Sequence, residues 1–255
     1  MRALAALLLA AMSVYALTCL GLYLTQRSLI YFPQPRRFGA AANIMKLPVE
    51  GAQLDISTRQ FAAPQAVIYF GGNAEDVSGS LPELAQAFPA HPLYLMHYRG
   101  YGGSTGTPTE QALVADALAL FDEVQRQHPH VTVIGRSLGS GVALRVASSR
   151  PVARLVLVTP YDSMAELAAQ QFPLFPVRLL MTDKFESWRY APQVSASTTV
   201  IAAQNDEVIP RASTELLLTR FKAGIAHQIV IPGTGHNTVS GDPAYAQALS
   251  GALPQ

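Results

Sequence analysis

The sequence predicts an α/β domain: a mostly parallel central sheet with helices on both faces. Two observations lead there. Short apolar runs rich in β-branched and aromatic residues alternate with stretches of helical periodicity, and each run is bounded by Gly, Pro, Asn or Asp. Strands that alternate with helices in this way run mostly parallel, because each helix carries the chain back across a face of the sheet. With 255 residues, 49% of them apolar, the chain can bury a full core in one domain. The formal net charge is +1, only 14% of residues are charged, and there is no long basic run. That pattern excludes the electrostatic footprint of nucleic-acid binding.

The first element is an apolar helix. No charged residue occurs between Ala3 and Gln26, and the stretch ALAALLLAAMSVYALTCLGLYL has the length of a helix that crosses a hydrocarbon core. Residues 1–26 therefore read as a transmembrane anchor. A cleaved signal peptide is the alternative, although its apolar core normally runs about 7 to 15 residues. A lipoprotein signal ending at Cys19 is a third reading, which Ala16, Leu17 and Thr18 fit poorly. Cys19 is the only cysteine, so one chain can build neither a disulfide nor a cysteine metal site. Arg27, Arg36 and Arg37 favour a cytoplasmic domain, whereas the two-residue leader leans toward the periplasmic face of a bacterial inner membrane. The anchor is expected to supply membrane partitioning and no group of the site. Residues 27–42 mix prolines and arginines with the patch Leu29 to Phe32 and read as a linker near the membrane surface.

The folded domain is expected over 43–255. Leu54, Ile56 and Thr58 alternate with Gln53, Asp55 and Ser57, the pattern of an antiparallel edge strand with one polar face. Further strands are expected at 66–70, 92–98, 131–135, 153–158, 199–203 and 227–231. Helices are expected at 109–127 and 137–149, each with an Asp or Ser near its start.

The sharpest feature is Gly135-Arg136-Ser137-Leu138-Gly139, which directly follows the strand VTVI and directly precedes a helical pattern. The pentapeptide alone is short enough to arise by chance, and a plain strand-to-helix turn is the bland reading. In this context the glycines have a reason. So tight a turn strains the serine backbone, and side chains two positions away would collide with neighbouring backbone. Ser137 then stands at a helix N-terminus, where unpaired N–H groups favour negative charge.

A serine hydroxyl needs a base within hydrogen-bond reach and a group that orients the base. On such a turn the partners follow the serine in the order acid, then histidine. Of the six histidines, only His227 and His236 lie far enough downstream. His227 opens an apolar strand, whereas His236 sits in the loop after it, where parallel strands deliver functional side chains. His236 is the expected base. His91, His97, His128 and His130 read as structural, and the His128-Pro129-His130 pair lacks the further ligands of a metal site. Asp206, in the loop after the preceding strand, is the expected acid, with Asp162 and Glu207 as rivals. The oxyanion of an acyl intermediate needs two main-chain N–H groups. Leu138 is expected to supply one and Asn73, in the loop Gly71-Gly72-Asn73-Ala74, the other. A simple Gly-Gly turn remains the alternative there.

From about Gln26 onward the chain resembles the membrane-anchored α/β-hydrolase-domain (ABHD-type) serine hydrolases, which have bacterial, yeast and animal members. The resemblance rests on LIYFPQP, FGGNAED, HYRGYGGSTGTPTE, GRSLGSGVAL, NDEVIP and GTGHN in that order. It implies the α/β-hydrolase fold, an N-terminal anchor and the triad Ser137, Asp206 and His236. Two positions depart from the family pattern. Gly71-Gly72 replaces a His-Gly pair, and His97 stands where relatives carry an acidic residue.

About forty residues separate the strand ending at Val158 from the one starting near Thr198, and their prolines predict a minimal cap. Phe172, Phe175, Leu179, Leu180 and Met181 read as core packing, with an acyl-pocket lining as the alternative. The resulting expectation is a cofactor-free hydrolase acting on a small acyl ester, thioester or lipid. A peptidase or amidase would use the same parts, and a silent hydrolase-fold scaffold is the reading from another class.

Overall fold

The computed structural model of the chain describes residues 1–37 and 43–251. The last five residues of the expected linker and the last four of the expected domain lie outside the described residues. After a helix α1 (Arg2–Ile30) the chain forms one eight-stranded sheet. Its strands are β1 (Asn43–Val49), β2 (Ala52–Arg59), β3 (Gln65–Phe70), β4 (Leu93–Met96), β5 (His130–Arg136), β6 (Arg154–Val158), β7 (Ser197–Ala203) and β8 (Ala226–Ile231). Their spatial order is β1-β2-β4-β3-β5-β6-β7-β8, antiparallel at β1-β2 and β2-β4 and parallel throughout the rest. The helices are α2 (Leu81–Ala87), α3 (Glu110–Gln125), α4 (Leu138–Ala147), α5 (Met164–Gln171), α6 (Val177–Leu180), α7 (Arg211–Leu218) and α8 (Pro243–Ser250). The fold class and the alternation of strand and helix agree with the sequence pattern.

Each face of the sheet buries its own cluster. One gathers Leu54, Ile68, Phe70, Phe121, Val142 and Leu157, and the other Tyr69, Leu84, Leu95, Ile134, Ile201 and Leu249. This is why β3, β5 and β6 read as continuous apolar runs: in a parallel sheet both faces are covered. The helix α3 starts where its Thr109 side chain accepts the Ala112 N–H and is fastened by its Asp116, which receives a two-pronged bond from Arg99 at 2.8 Å on each oxygen.

Two expectations about the early chain are corrected. The 54–58 segment is antiparallel but not the edge, because β1, whose Lys46 and Pro48 hide its apolar pattern, pairs along its outer side. Its polar face is buried as well: Asp55 lies beneath Lys46 and Arg36, and Ser57 Oγ lies 2.8 Å from His97 Nε2. The segment after the anchor is no free linker. Helix α1 runs through Arg27 to Ile30, Ile30 and Tyr31 are buried, and the chain from Phe32 to Arg37 is hydrogen-bonded to the domain. Tyr31 donates its hydroxyl to Asp183 at 2.9 Å, and Arg27 reaches the same carboxylate at 3.1 Å.

His97 occupies the position where the family pattern has an acid, and its surroundings keep it neutral. Burial lowers the imidazole pKa to about 4, with Asp76 and Asp55 pulling it up and Arg36 pushing it down. Between about pH 4 and the ordinary 6.5 the unfolded chain therefore takes up a proton that the folded one refuses. The contribution of neutral His97 to stability is complete above 6.5 and is lost as pH falls toward 4. Glu83 runs the other way, since burial raises it to about 7. Comparing the wild type with His97→Gln cancels the contribution of Glu83, which both proteins share. In denaturant titrations from pH 7 to pH 4.5 the wild type's advantage over His97→Gln is expected to shrink by up to about 3 kcal/mol. An advantage constant across this range would show that His97 titrates normally in the fold.

Candidate active site

The turn from β5 to α4 is as tight as its glycines imply. Ser137 has φ 50° and ψ −118°, a conformation that side chains other than glycine rarely adopt. Its N–H donates to the Val158 carbonyl at 2.9 Å, which anchors the strained turn to β6. A Cβ on Gly135 would strike the Gly139 carbonyl, and one on Gly139 would strike the Phe70 carbonyl of β3. Neither atom is the end of a flexible side chain, so both positions exclude alanine.

The structure brings Ser137, His236 and Asp206 together from three different loops at one end of the sheet. Ser137 Oγ lies 3.0 Å from His236 Nε2, and His236 Nδ1 lies 2.9 and 3.0 Å from the two Asp206 oxygens. His236 and Asp206 are buried, their side chains 6% and 7% exposed. Asp206 is itself held: its Oδ1 accepts the N–H groups of Val208 and Ile209. Glu207 turns away and accepts the His236 main-chain N–H at 3.0 Å, which fixes the histidine loop instead of orienting the ring. Asp162 is remote from the histidine; it is buried near Arg220 and accepts no bond from His236. His227 lies on β8, and His128 bonds Tyr94 and the Ala63 carbonyl.

Leu138 and Asn73 both line the cavity above Ser137, and among the described residues neither N–H has a hydrogen-bond partner. The loop carrying Asn73 is fastened through its carbonyls: Tyr98 donates to Gly71 at 2.8 Å and Tyr101 to Asn73 at 2.5 Å. This accounts for the two tyrosines of the HYRGYG stretch.

Two residues that the sequence reading passed over complete the arrangement. Glu75 accepts the Gly72 N–H at 2.7 Å, the Tyr69 hydroxyl at 2.8 Å and the Ser80 hydroxyl at 2.7 Å. Its remaining partner is Arg136, at 3.0 Å, inside the pentapeptide itself. Arg136 in turn reaches the His236 carbonyl and Asn237 Oδ1. Burial works against the guanidinium charge, but the oxygens of Tyr69 and Glu75 outweigh it and raise its pKa. One ion pair therefore ties together the loop of Asn73, the turn of Ser137 and the loop of His236.

The cavity over Ser137 has a volume of about 820 Å³ and is mostly apolar. Of the five cap residues read as core, Phe172, Phe175, Leu180 and Met181 line it, while Leu179 is 84% exposed and does not. The core reading holds for Met181, which joins the buried core, and fails for Phe172, Phe175 and Leu180, which stay partly exposed where the segment 174–180 meets α1 through Tyr15 and Gln26. Helix α1 supplies Leu22, Tyr23, Gln26, Leu29 and Ile30 to the wall, so the N-terminal apolar helix, expected to add no group to the site, does contribute to it. Asn73 Nδ2 donates to the Ile30 carbonyl at 2.9 Å, and the Phe32 N–H donates back to the Asn73 carbonyl at 3.0 Å.

A family described as the alpha/beta hydrolase fold matches residues 65–180. An uncharacterised protein of Mycobacterium tuberculosis is 35% identical over 231 residues, covering 83% of this chain and 80% of that protein. The chain belongs to the α/β-hydrolase-domain family, ABHD type. It is accordingly a hydrolase. The lysophosphatidylserine lipase ABHD12 of Bos taurus is 30% identical over 168 residues, which cover 56% of this chain and 42% of that protein. Among solved structures, an esterase of Pyrococcus furiosus superposes with a TM-score of 0.68 at 14% identity, covering 87% of this chain and 95% of that one. At that identity the likeness speaks for the fold alone.

In this α/β-hydrolase-domain protein the Arg136–Glu75 pair can be tested as a unit. Glu75→Gln keeps the shape of the side chain but leaves a buried guanidinium without its counter-charge, at an expected cost of about 3 kcal/mol. Arg136→Met should cost a similar amount. The double variant is expected to lose less than the sum of the two by at least about 1 kcal/mol in denaturant unfolding, the mark of a shared interaction. Strict additivity would show that the two side chains act independently.

Proposed function

We propose that the chain is a membrane-anchored serine hydrolase that cleaves carboxylic esters or thioesters through an acyl-enzyme on Ser137. The observation that carries the reading is the unbroken relay from Ser137 Oγ through His236 to Asp206, which opens on an apolar cavity also lined by Leu138 and Asn73. Ser137 attacks the acyl carbon while His236 Nε2 takes its proton. Asp206 holds Nδ1–H and stabilises the imidazolium that results. The oxyanion forms between the N–H groups of Leu138 and Asn73. Collapse of the intermediate breaks the bond to the leaving alkoxide or thiolate, which receives the proton from His236. Water then attacks the acyl-enzyme with the same histidine as base, and the acid product leaves. No step calls for a cofactor.

The apolar wall of the cavity supports an acyl chain as the group transferred, and the lipase name carried by the bovine relative points the same way. Helix α1, with a mean hydropathy of 2.2 over its most apolar stretch, supports the anchor. Its contribution to the cavity wall further supports its retention, because cleavage would remove part of the site.

Kinetics on a panel of acyl esters and matched amides test this reading. Ser137→Ala is expected to abolish turnover with unchanged thermal stability, since it removes one oxygen and no packing. Asp206→Asn should stay folded and lose about 10⁴-fold in kcat, because an amide holds the wrong imidazole tautomer. Wild-type turnover in either variant would end the assignment, and a preference for amides would redirect it to a peptidase.

A further inference from the structure

Helix α1 meets the domain much earlier than an anchor that merely tethers would. Its contact stripe runs through Tyr15, Cys19, Leu22, Gln26 and Ile30, one helical face. Tyr15 stacks on Phe175, with centroids 5.9 Å apart and planes within 5°, and donates its hydroxyl to the Leu174 carbonyl at 2.9 Å. The polar and charged contacts come about three turns later: Gln26 with Thr182 and the Leu180 carbonyl, and Arg27 with Asp183.

Length decides where the membrane must lie. The apolar stretch free of the domain, from Ala3 to Val14, spans about 18 Å at 1.5 Å per residue. The hydrocarbon core is about 30 Å thick. The remaining distance of about 12 Å takes a further eight residues, as far as Leu22. Tilting the helix would only lengthen the part required. Whatever packs beside residues 15 to 22 therefore shares their depth, and that is the tip of the cap. Its Phe172, Leu174 and Leu179 are 42%, 80% and 84% exposed. Arg178, inside this stretch with its side chain 67% exposed, is paired through two of its nitrogens with Glu166 at 2.7 Å. Leu22, Tyr23, Phe172 and Phe175 line the cavity within the same stretch.

We propose that the cap tip from Phe172 to Leu179 is immersed in the bilayer beside α1, and that the acyl chain of the substrate enters the cavity from the hydrocarbon between them. The occupant of this exposed apolar face is lipid. This rests on the anchor reading above and goes beyond it: the membrane becomes a wall of the entrance as well as a tether. The ester group then reaches Ser137 near the level of Gln26 and Arg27, where the polar contacts begin.

Full-length protein with Trp188→Phe, reconstituted in phosphatidylcholine vesicles with brominated acyl chains, tests this. Tryptophan is placed singly at Leu8 on α1 or at Leu174 on the cap. Both are expected to be quenched. Quenching at position 8 without quenching at 174 overturns the immersed cap and leaves the anchor standing, whereas no quenching at 8 overturns the anchor. In a second measurement Leu174→Asp with Leu179→Asp should remain membrane-bound and hydrolyse 4-nitrophenyl butyrate as the wild type does. On a long-chain monoacylglycerol in vesicles it should be slower by at least about tenfold, because each carboxylate resists entry into hydrocarbon. Equal loss on both substrates, or on neither, contradicts the proposal.

Discussion

The arrangement at the carboxyl end of the sheet depends on one ion pair. Arg136 lies in a turn whose two glycines admit no side chain, and loss of Glu75 would leave its buried guanidinium without a counter-charge. Between them they hold the Gly72 N–H, the Tyr69 hydroxyl and the His236 carbonyl. The strain at Ser137 is thus borne by a framework that reaches three loops, and the geometry of the relay follows from it. Asp206 needs no help from this pair, since its own loop amides fix it.

A second fastening lies where helix α1 meets the domain. Asp183, buried in the cap, receives both Tyr31 and Arg27, and Asn73 exchanges hydrogen bonds with residues 30 and 32. The loop that offers the Asn73 N–H is therefore gripped from below by Tyr98 and Tyr101 and from outside by the end of α1. The candidate site and helix α1 share residues, which is why the helix and the domain are poorly described as separable parts.

Much of this was legible in the amino-acid sequence, and the rest was not for identifiable reasons. The strands β3 and β5 to β7 announce themselves because a parallel strand covered on both faces is largely apolar, and β8, at the edge, shows only the run Ile229 to Ile231. Ser137, Asp206 and His236 stand out because each directly follows such a strand. By contrast, β1 carries Lys46 and Pro48 and lacks that signal. The role of Glu75 needs the knowledge that β3 lies beside β5, which sets it against Arg136 from 61 positions away. An arginine inside the pentapeptide and a glutamate in the glycine loop were the available hint. The segment after Gln26 has the composition of a linker, yet Tyr31 is buried by a carboxylate 152 residues downstream. Local composition carries no record of so distant a partner. Apolar residues at helical spacing in the cap likewise do not reveal whether they face core, cavity or lipid.

The central claim is that Ser137 is an activated nucleophile in the folded, membrane-bound protein. Treating the full-length protein in vesicles with a fluorophosphonate and mapping the adduct by peptide mass spectrometry addresses it directly. A single phosphonylated residue at Ser137, absent when the protein is first denatured, is the predicted result. A folded protein that takes up no label, or takes it up at another serine, would contradict the account.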